Sequence, residues 1–409
     1  MSDLPLADLR VLDLSRLVAG NMLSMLLADF GADVIKVEQP GSGDPLRTWK
    51  SDGLDLWWRV YGRNKRSITL NLAHAEGRAL LLRLVPSADL LVESFVPGTL
   101  EQWGLGPDVL LERNPGLVIM RISGWGQDGP YRRRPGFGTF VEAMSGFASM
   151  TGPADAPPTL PPVPLGDMSA ALYGAAAAMI ALHHRGRDGQ GRAGGGQVID
   201  LSLLEPLFSL LGPLAAEYRL TGRIRRRIGN RTYNSAPRNT YRTNDGAWIA
   251  ISASTPTMAA QFFRALGRAD LLDDERFATN ESRLRHVDEV DRVVGEEIGR
   301  YDLPDLLARF EEHGVGAAPV YDIAQLLADP HVQARGMVVD VPDRVDPASS
   351  AGPAGRPTPM HAVIPRMDRT PGEIRWPGPA LGAHNEEVYG GELALAAAER
   401  HRLHAAGVI

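Results

Sequence analysis

Apolar positions in the first two hundred residues alternate between two patterns. Short runs rich in leucine, valine and isoleucine, at 9–14, 34–37, 67–70, 89–93 and 117–122, read as strands. Between them, 21–30 and 75–84 carry apolar residues at helical spacing, and 107–112 reads as a helical turn. Strands separated by single helices predict βαβ units and a mostly parallel sheet covered on both faces. In such doubly wound α/β architecture, ligands lie beyond the carboxyl ends of the strands.

Beyond a polar, glycine-rich turn at 185–196, a strand is expected at 197–201 and a long helix at 203–220. The pattern then changes. From 223 to 301 the chain is basic and mixed, with a strand at 248–251 and amphipathic helices at 256–266 and 281–299. A helix at 303–313 follows, and 318–323 reads as a return to the first sheet. Irregular Pro- and Gly-rich chain at 342–379 precedes a final helix at 393–406. The expected division is therefore a large domain over 1–220, a small domain over 221–315, and a segment 316–409 that rejoins the large one.

Bulk properties narrow the function. A chain of 409 residues exceeds one ordinary core. Its net charge of −6 gives no general attraction for nucleic acid or anionic membranes. The absence of cysteine excludes disulfides and a thiol nucleophile. The first residues lack a signal-peptide pattern, and the apolar run 170–182 is short for a membrane span. A soluble cytoplasmic protein is expected, without nucleic-acid or membrane partners.

Several motifs are weaker than their letters. Gly124-Trp125-Gly126-Gln127-Asp128-Gly129 matches G-x-G-x-x-G after a strand, but Pro130, Arg132, Arg133, Arg134 and Pro135 follow where a helix should begin. Without that helix end a dinucleotide pyrophosphate has no anchor. No HExxH or clustered carboxylates predict a metal, and no GxSxG elbow predicts a serine hydrolase. Asp167 stands out instead. It lies where a proline-rich loop (157–164) meets an alanine-rich helix, among free N–H donors that favour its ionised form. Taken alone, its position fits an N-cap.

Three segments together are more specific. Val11-Leu12-Asp13-Leu14-Ser15 leads through Ala19-Gly20 to Ala28-Asp29-Phe30-Gly31-Ala32-Asp33-Val34-Ile35-Lys36-Val37-Glu38. Asn64-Lys65-Arg66-Ser67-Ile68 and Glu93-Ser94-Phe95-Val96-Pro97-Gly98 form the second set, and Gly166-Asp167 is the third. The chain closely resembles the family III CoA-transferases, a group that also contains α-methylacyl-CoA racemase, over nearly its whole length.

That resemblance implies a Rossmann-like large domain built from both termini, a smaller inserted α+β domain, and two subunits interlocked as rings in an obligate homodimer. It implies an acyl-CoA and a free carboxylic acid as substrates, with no tightly bound cofactor and no metal. Asp167 aligns with the aspartate that attacks the thioester, forming an aspartyl-acyl anhydride and then an aspartyl-CoA thioester. CoA-site positions carried over are Val18, Ala19, Gln39, Leu70, Asn71, Leu72, Ser94, Phe95, Val96, Gly136 and Phe137. Racemases place a histidine where Phe137 stands, and phenylalanine moves no proton, which favours a transferase; a racemase would have to recruit Glu142 or another residue instead. A racemase or isomerase of the same fold, and a non-catalytic CoA-binding subunit, are the rival expectations. Members of the family often carry arginine where Gln39 and Val96 stand, so phosphate charge must be met elsewhere; Arg47, Arg63 and the run Arg132 to Arg134 are candidates. The arginines of 223–238 hint at a substrate with a second carboxylate.

Overall fold

The computed structural model describes residues 4–186, 195–342 and 357–409. Its largest sheet contains β1 (Arg10–Asp13), β2 (Asp33–Glu38), β3 (Lys65–Thr69), β4 (Leu90–Glu93), β5 (Val118–Ser123) and β6 (Val198–Ser202). All pair in parallel, in the order β3-β2-β1-β4-β5-β6. The order reverses between β1 and β4, so the connections leaving these neighbours diverge and open a crevice at their carboxyl ends.

The apolar runs contain little polar alternation because both sheet faces are buried. Val11, Val34, Leu90, Val118 and Met120 pack with residues of the helices Leu17–Ala28 and Leu165–Arg185. Their chain neighbours Leu12, Ile35, Leu91 and Ile119 pack the other face with Leu80, Leu81, Val388, Leu403 and Val408. The small side chains of Ala170, Ala171, Gly174 and Ala178 bring the second helix close to the core.

A charge cluster is buried beside these layers. Asp13, Lys36 and Lys65 are fully shielded from solvent. Asp13 accepts from the Ser15 and Ser24 hydroxyls at 2.5 and 2.6 Å, from Lys36 at 3.3 Å and from Lys65 at 3.1 Å. Lys36 also meets Asp44 at 3.0 Å, and Asp44 takes the Leu17 N–H at 3.0 Å. Both lysines hold the Asp13 carboxyl below the ordinary carboxylate range despite its burial. The cluster ties β1, β2 and β3 to the start of the helix Leu17–Ala28, which opens with Leu17 in the left-handed region at φ 62°.

The chain forms two compact units. One comprises Met1–Phe147, Leu160–Ala216 and Gly336–Ile409; the other comprises Ala148–Thr159 and Glu217–Arg335. The second contains an antiparallel sheet of β7 (Arg238–Arg242), β8 (Trp248–Ser252) and β9 (Ala317–Pro319), covered by helices around Phe262, Phe263 and Phe310.

Several expectations are corrected here. The segment expected to return to the first sheet pairs with β8, through Ile249 opposite Pro319. The helix expected over 203–220 is two, Leu204–Ser209 and Leu214–Thr221, interrupted at Gly212 (φ 61°) and Pro213, which donates no backbone hydrogen bond. The helix expected over 281–299 breaks at His286. Within the irregular stretch, Thr358–His361 forms a strand antiparallel to Val338–Val341. The turn at 185–196 falls largely outside the described residues, as does part of 342–379. The apolar run at 170–182 belongs to a longer helix, Leu165–Arg185, which by length and composition alone is long enough to cross a membrane, yet its small residues pack into the core.

Gly20 marks the tightest point beside the charge cluster. A methyl carbon there lies 2.1 Å from the Ser15 hydroxyl oxygen. Gly20→Ala should push Ser15 off Asp13 and cost about 2–4 kcal/mol. Thermal unfolding of the purified variant should show the midpoint lowered by at least ~5 °C, and an unchanged midpoint contradicts the packing described.

Candidate active site

Asp167 stands in the first turn of the helix Leu165–Arg185. It does not cap that helix. The Gly166 N–H donates to Glu142 Oε1 at 3.0 Å, so the helix start is satisfied by the neighbouring helix Gly138–Met144. Asp167 packs against Gly138, where a methyl carbon would lie 2.2 Å from Asp167 Oδ2. Gly166 is also tightly packed, its own missing methyl 2.8 Å from a Val141 methyl and 3.3 Å from the Gly138 backbone. Glycine at both positions lets the two helix starts meet with the carboxylate between them and the solvent.

The electrostatic environment differs from the helix-end expectation. Burial, reinforced by the like charge of Glu142, pushes the Asp167 carboxyl up to about 6. These effects outweigh the lowering contributed by Asp167's own backbone N–H at the helix start. At neutral pH the group is a carboxylate with diminished hydration, the condition under which a weak nucleophile becomes reactive.

Asp167 opens onto a cavity of about 480 Å³ at the ends of β4 and β5. Its walls include Arg16, Ser94, Phe95, Gly136, Phe137 and the run Arg132 to Arg134. A second cavity, about 260 Å³, lies past β1, β2 and β3, against Gln39, Leu70 and Leu72. Arg16, Pro45 and Phe95 border both. The crevice of the parallel sheet is thus continuous along its walls from Gln39 to Asp167.

The loop 124–136 closes on itself. Gly124 and Gly136 touch backbone to backbone, a methyl on Gly124 falling 2.5 Å from the Gly136 Cα. Trp125 Nε1 donates to the Pro135 carbonyl at 3.1 Å, and the Gln127 N–H donates to Asp200 at 2.9 Å. The loop thereby presents Arg132, Arg133 and Arg134, with the Arg134 guanidinium stacked 3.8 Å from the Tyr131 ring. Among the described residues these three and Arg16 have no carboxylate partner. The arrangement provides a carboxylate nucleophile beside an anion-receptive wall.

A family model described as CoA-transferase family III matches residues 6–385. The chain belongs to that family. It is an acyl-CoA:carboxylate CoA-transferase. It is 44% identical over 408 residues to the succinyl-CoA–D-citramalate CoA-transferase of Chloroflexus aurantiacus, covering 99% of this chain and 98% of that one. It is 36% identical to the succinate–glutarate CoA-transferase of Agrobacterium fabrum, over 94% of each chain. A crystal structure of a CAIB/BAIF family protein from Brucella suis superposes with a TM-score of 0.82 at 32% identity, over 95% of this chain and 99% of that one.

The transferase brings most of its sequence-predicted positions to this crevice. Asp167, Ala19, Ser94, Phe95, Val96, Gly136 and Phe137 border the larger cavity, and Gln39, Leu70, Leu72 and again Phe95 the smaller. Val18 is buried in its helix and Asn71 binds Val408 and Gly407 through its backbone and side chain, so neither borders a cavity. The phosphate candidates divide sharply. Arg63 is buried in a bidentate pair with Asp29, and Arg47 is paired with Glu38 at 2.7 Å over the Trp58 ring. Both are structural. Much of the basic segment expected to recognise a second carboxylate is also engaged internally: Arg225 with Glu217, Arg231 with Asp288 and Asp291, Arg227 with backbone carbonyls. Arg16 escaped the sequence analysis, and Glu142 entered it only as an acid–base group for a racemase; neither stands in a motif, and the folded chain brings both to the surroundings of Asp167.

Unpaired guanidinium groups at the cavity predict charge-assisted contacts with the anionic substrate. Replacing Arg132 and Arg133 together with glutamate should raise the KM for acyl-CoA at least ~10-fold, since each charged hydrogen bond contributes roughly 1.5–3 kcal/mol. Steady-state kinetics at two salt concentrations checks this; an unaltered KM and salt dependence rules the role out.

Proposed function

We propose that Asp167 carries the acyl group and then CoA during transfer. Its carboxylate attacks the thioester carbonyl of the donor; the carbon–sulfur bond breaks, leaving an aspartyl-acyl anhydride and CoA thiolate. The thiolate attacks the aspartyl carbonyl, releasing the donor acid as a carboxylate and forming an aspartyl-CoA thioester. The acceptor carboxylate repeats the sequence in reverse, ending with a new acyl-CoA and a free Asp167. No net proton is consumed. The carrying observation is the placement of Asp167, pressed against Gly138 and opening onto the larger cavity.

Succinyl-CoA as donor and a dicarboxylate as acceptor are the substrates this reading favours. Relatives named for succinyl-CoA and D-citramalate, and for succinate and glutarate, support it. So do Arg16 and the Arg132 to Arg134 run beside Asp167. Phe137, on the wall of the same cavity, has no titratable atom, which speaks against α-proton exchange.

Incubating the protein with succinyl-CoA alone, then mapping peptides by mass spectrometry, should find a CoA or succinyl increment on Asp167. Asp167→Ala should lose that increment and at least roughly 10³-fold in kcat. Full-speed exchange in the variant would exclude this mechanism.

We also infer the interlocked homodimer and the inserted smaller domain that the family resemblance implies. The helix Leu165–Arg185 leaves Leu172 and Ile180 exposed at 55% and 70%, a large apolar face for a free surface. Sedimentation at nanomolar concentration should still give twice the chain mass, because separating linked rings requires unfolding. A chain-mass species on dilution contradicts interlocking.

A further inference from the structure

Glu142 lies outside every motif, yet it is 3% exposed and its carboxylate is aimed at the start of the Asp167 helix. Buried carboxylates ordinarily pair with a cation. Glu142 takes a backbone N–H instead, that of Gly166, at 3.0 Å. The point where a Gly138 methyl would sit lies 2.2 Å from Asp167 Oδ2 and 3.7 Å from Glu142 Oε1. Both carboxylates therefore crowd the face of Gly138 where a side chain would otherwise stand.

We propose that Glu142 is a positioning residue for Asp167: it fastens the start of the Asp167 helix through the Gly166 N–H, and confronts Asp167 as a like charge beside Gly138. This rests on the reading of Asp167 as the acyl carrier. Two effects follow. By holding the Gly166 N–H, Glu142 fixes the turn that carries Asp167 against Gly138 and at the cavity wall. With a fixed negative charge behind it, its carboxylate remains basic and weakly stabilised, the state that attacks a thioester most readily.

The charged groups around Asp167 support the assignment. Glu142 comes from the helix Gly138–Met144; Arg16, just before the helix Leu17–Ala28, and Arg132 to Arg134, in the loop after β5, face the cavity onto which Asp167 opens. After burial, Glu142 is the charge that lifts the Asp167 carboxyl to about 6. The arginines would act in the opposite direction if they lay as near.

The test is the pH dependence of kcat/KM for acyl-CoA in the full-length parent and in Glu142→Gln. Glutamine still accepts from Gly166 but carries no charge. In the parent, activity should fall as pH drops through about 6, as Asp167 gains its proton. In the variant, this acidic limb should move down by roughly one pH unit. Its kcat at neutral pH should drop several-fold with little change in KM, and Glu142→Asp should retain the limb near the parent position. An acidic limb at the same pH in the parent and the glutamine variant overturns the proposal. If turnover in the variant is too slow to measure, the pH dependence of adduct formation on Asp167 gives the same comparison. An adduct in both proteins with a common limb defeats only the role of Glu142. No adduct in the parent defeats the Asp167 reading itself.

Discussion

The site depends on backbone touching backbone without an intervening Cβ. Gly124 against Gly136 closes the loop after β5, and Gly138 against Gly166 joins two helix starts. Neither contact leaves room for a side chain: a methyl on Gly124 would strike the Gly136 main chain, one on Gly138 the Asp167 carboxylate, and one on Gly166 the Val141 side chain. Through these contacts the carboxylate, its companion Glu142 and the arginine-bearing loop take fixed places around one cavity. The Asp167 helix then anchors them to the core through its alanine face.

Charges are sorted by depth. Beneath the strand ends, Asp13, Asp44 and Glu38 are matched by Lys36, Lys65 and Arg47, a self-compensating cluster that fastens β1 to β3. Removing one member would strand a buried charge at a cost of about 3–5 kcal/mol. At the cavity surface the guanidinium groups have no such partners among the described residues. Arginines consumed by structure and arginines offered to a ligand thus occupy adjacent layers.

Fold and site were legible to different degrees. The unbroken apolar runs of β1, β2, β4 and β5 announced a sheet buried on both faces, and the intervening helix predicted parallel pairing. β9 was assigned to the wrong sheet because a strand of three residues carries no pattern that names its partner. Asp167 was legible as a position but misread in its local physics. An aspartate at a helix start looks the same in sequence whether water or a buried like charge faces it, and Glu142, twenty-five positions upstream, supplies that charge. Arg47 and Arg63 were equally plausible as phosphate ligands until burial against Glu38 and Asp29 showed their charge already satisfied. Partner identity is a property of three dimensions, and an arginine's letter does not encode it.

The closed loop has a consequence for recognition at a distance. The molecule carries a formal charge of −6, which should repel a polyanionic thioester. Because the interior charges cancel locally, an approaching ligand experiences mainly the ring-held cations at the crevice mouth, within a Debye length of roughly 8 Å at physiological ionic strength. An acidic protein can therefore capture an acidic ligand, with association slowed by added salt.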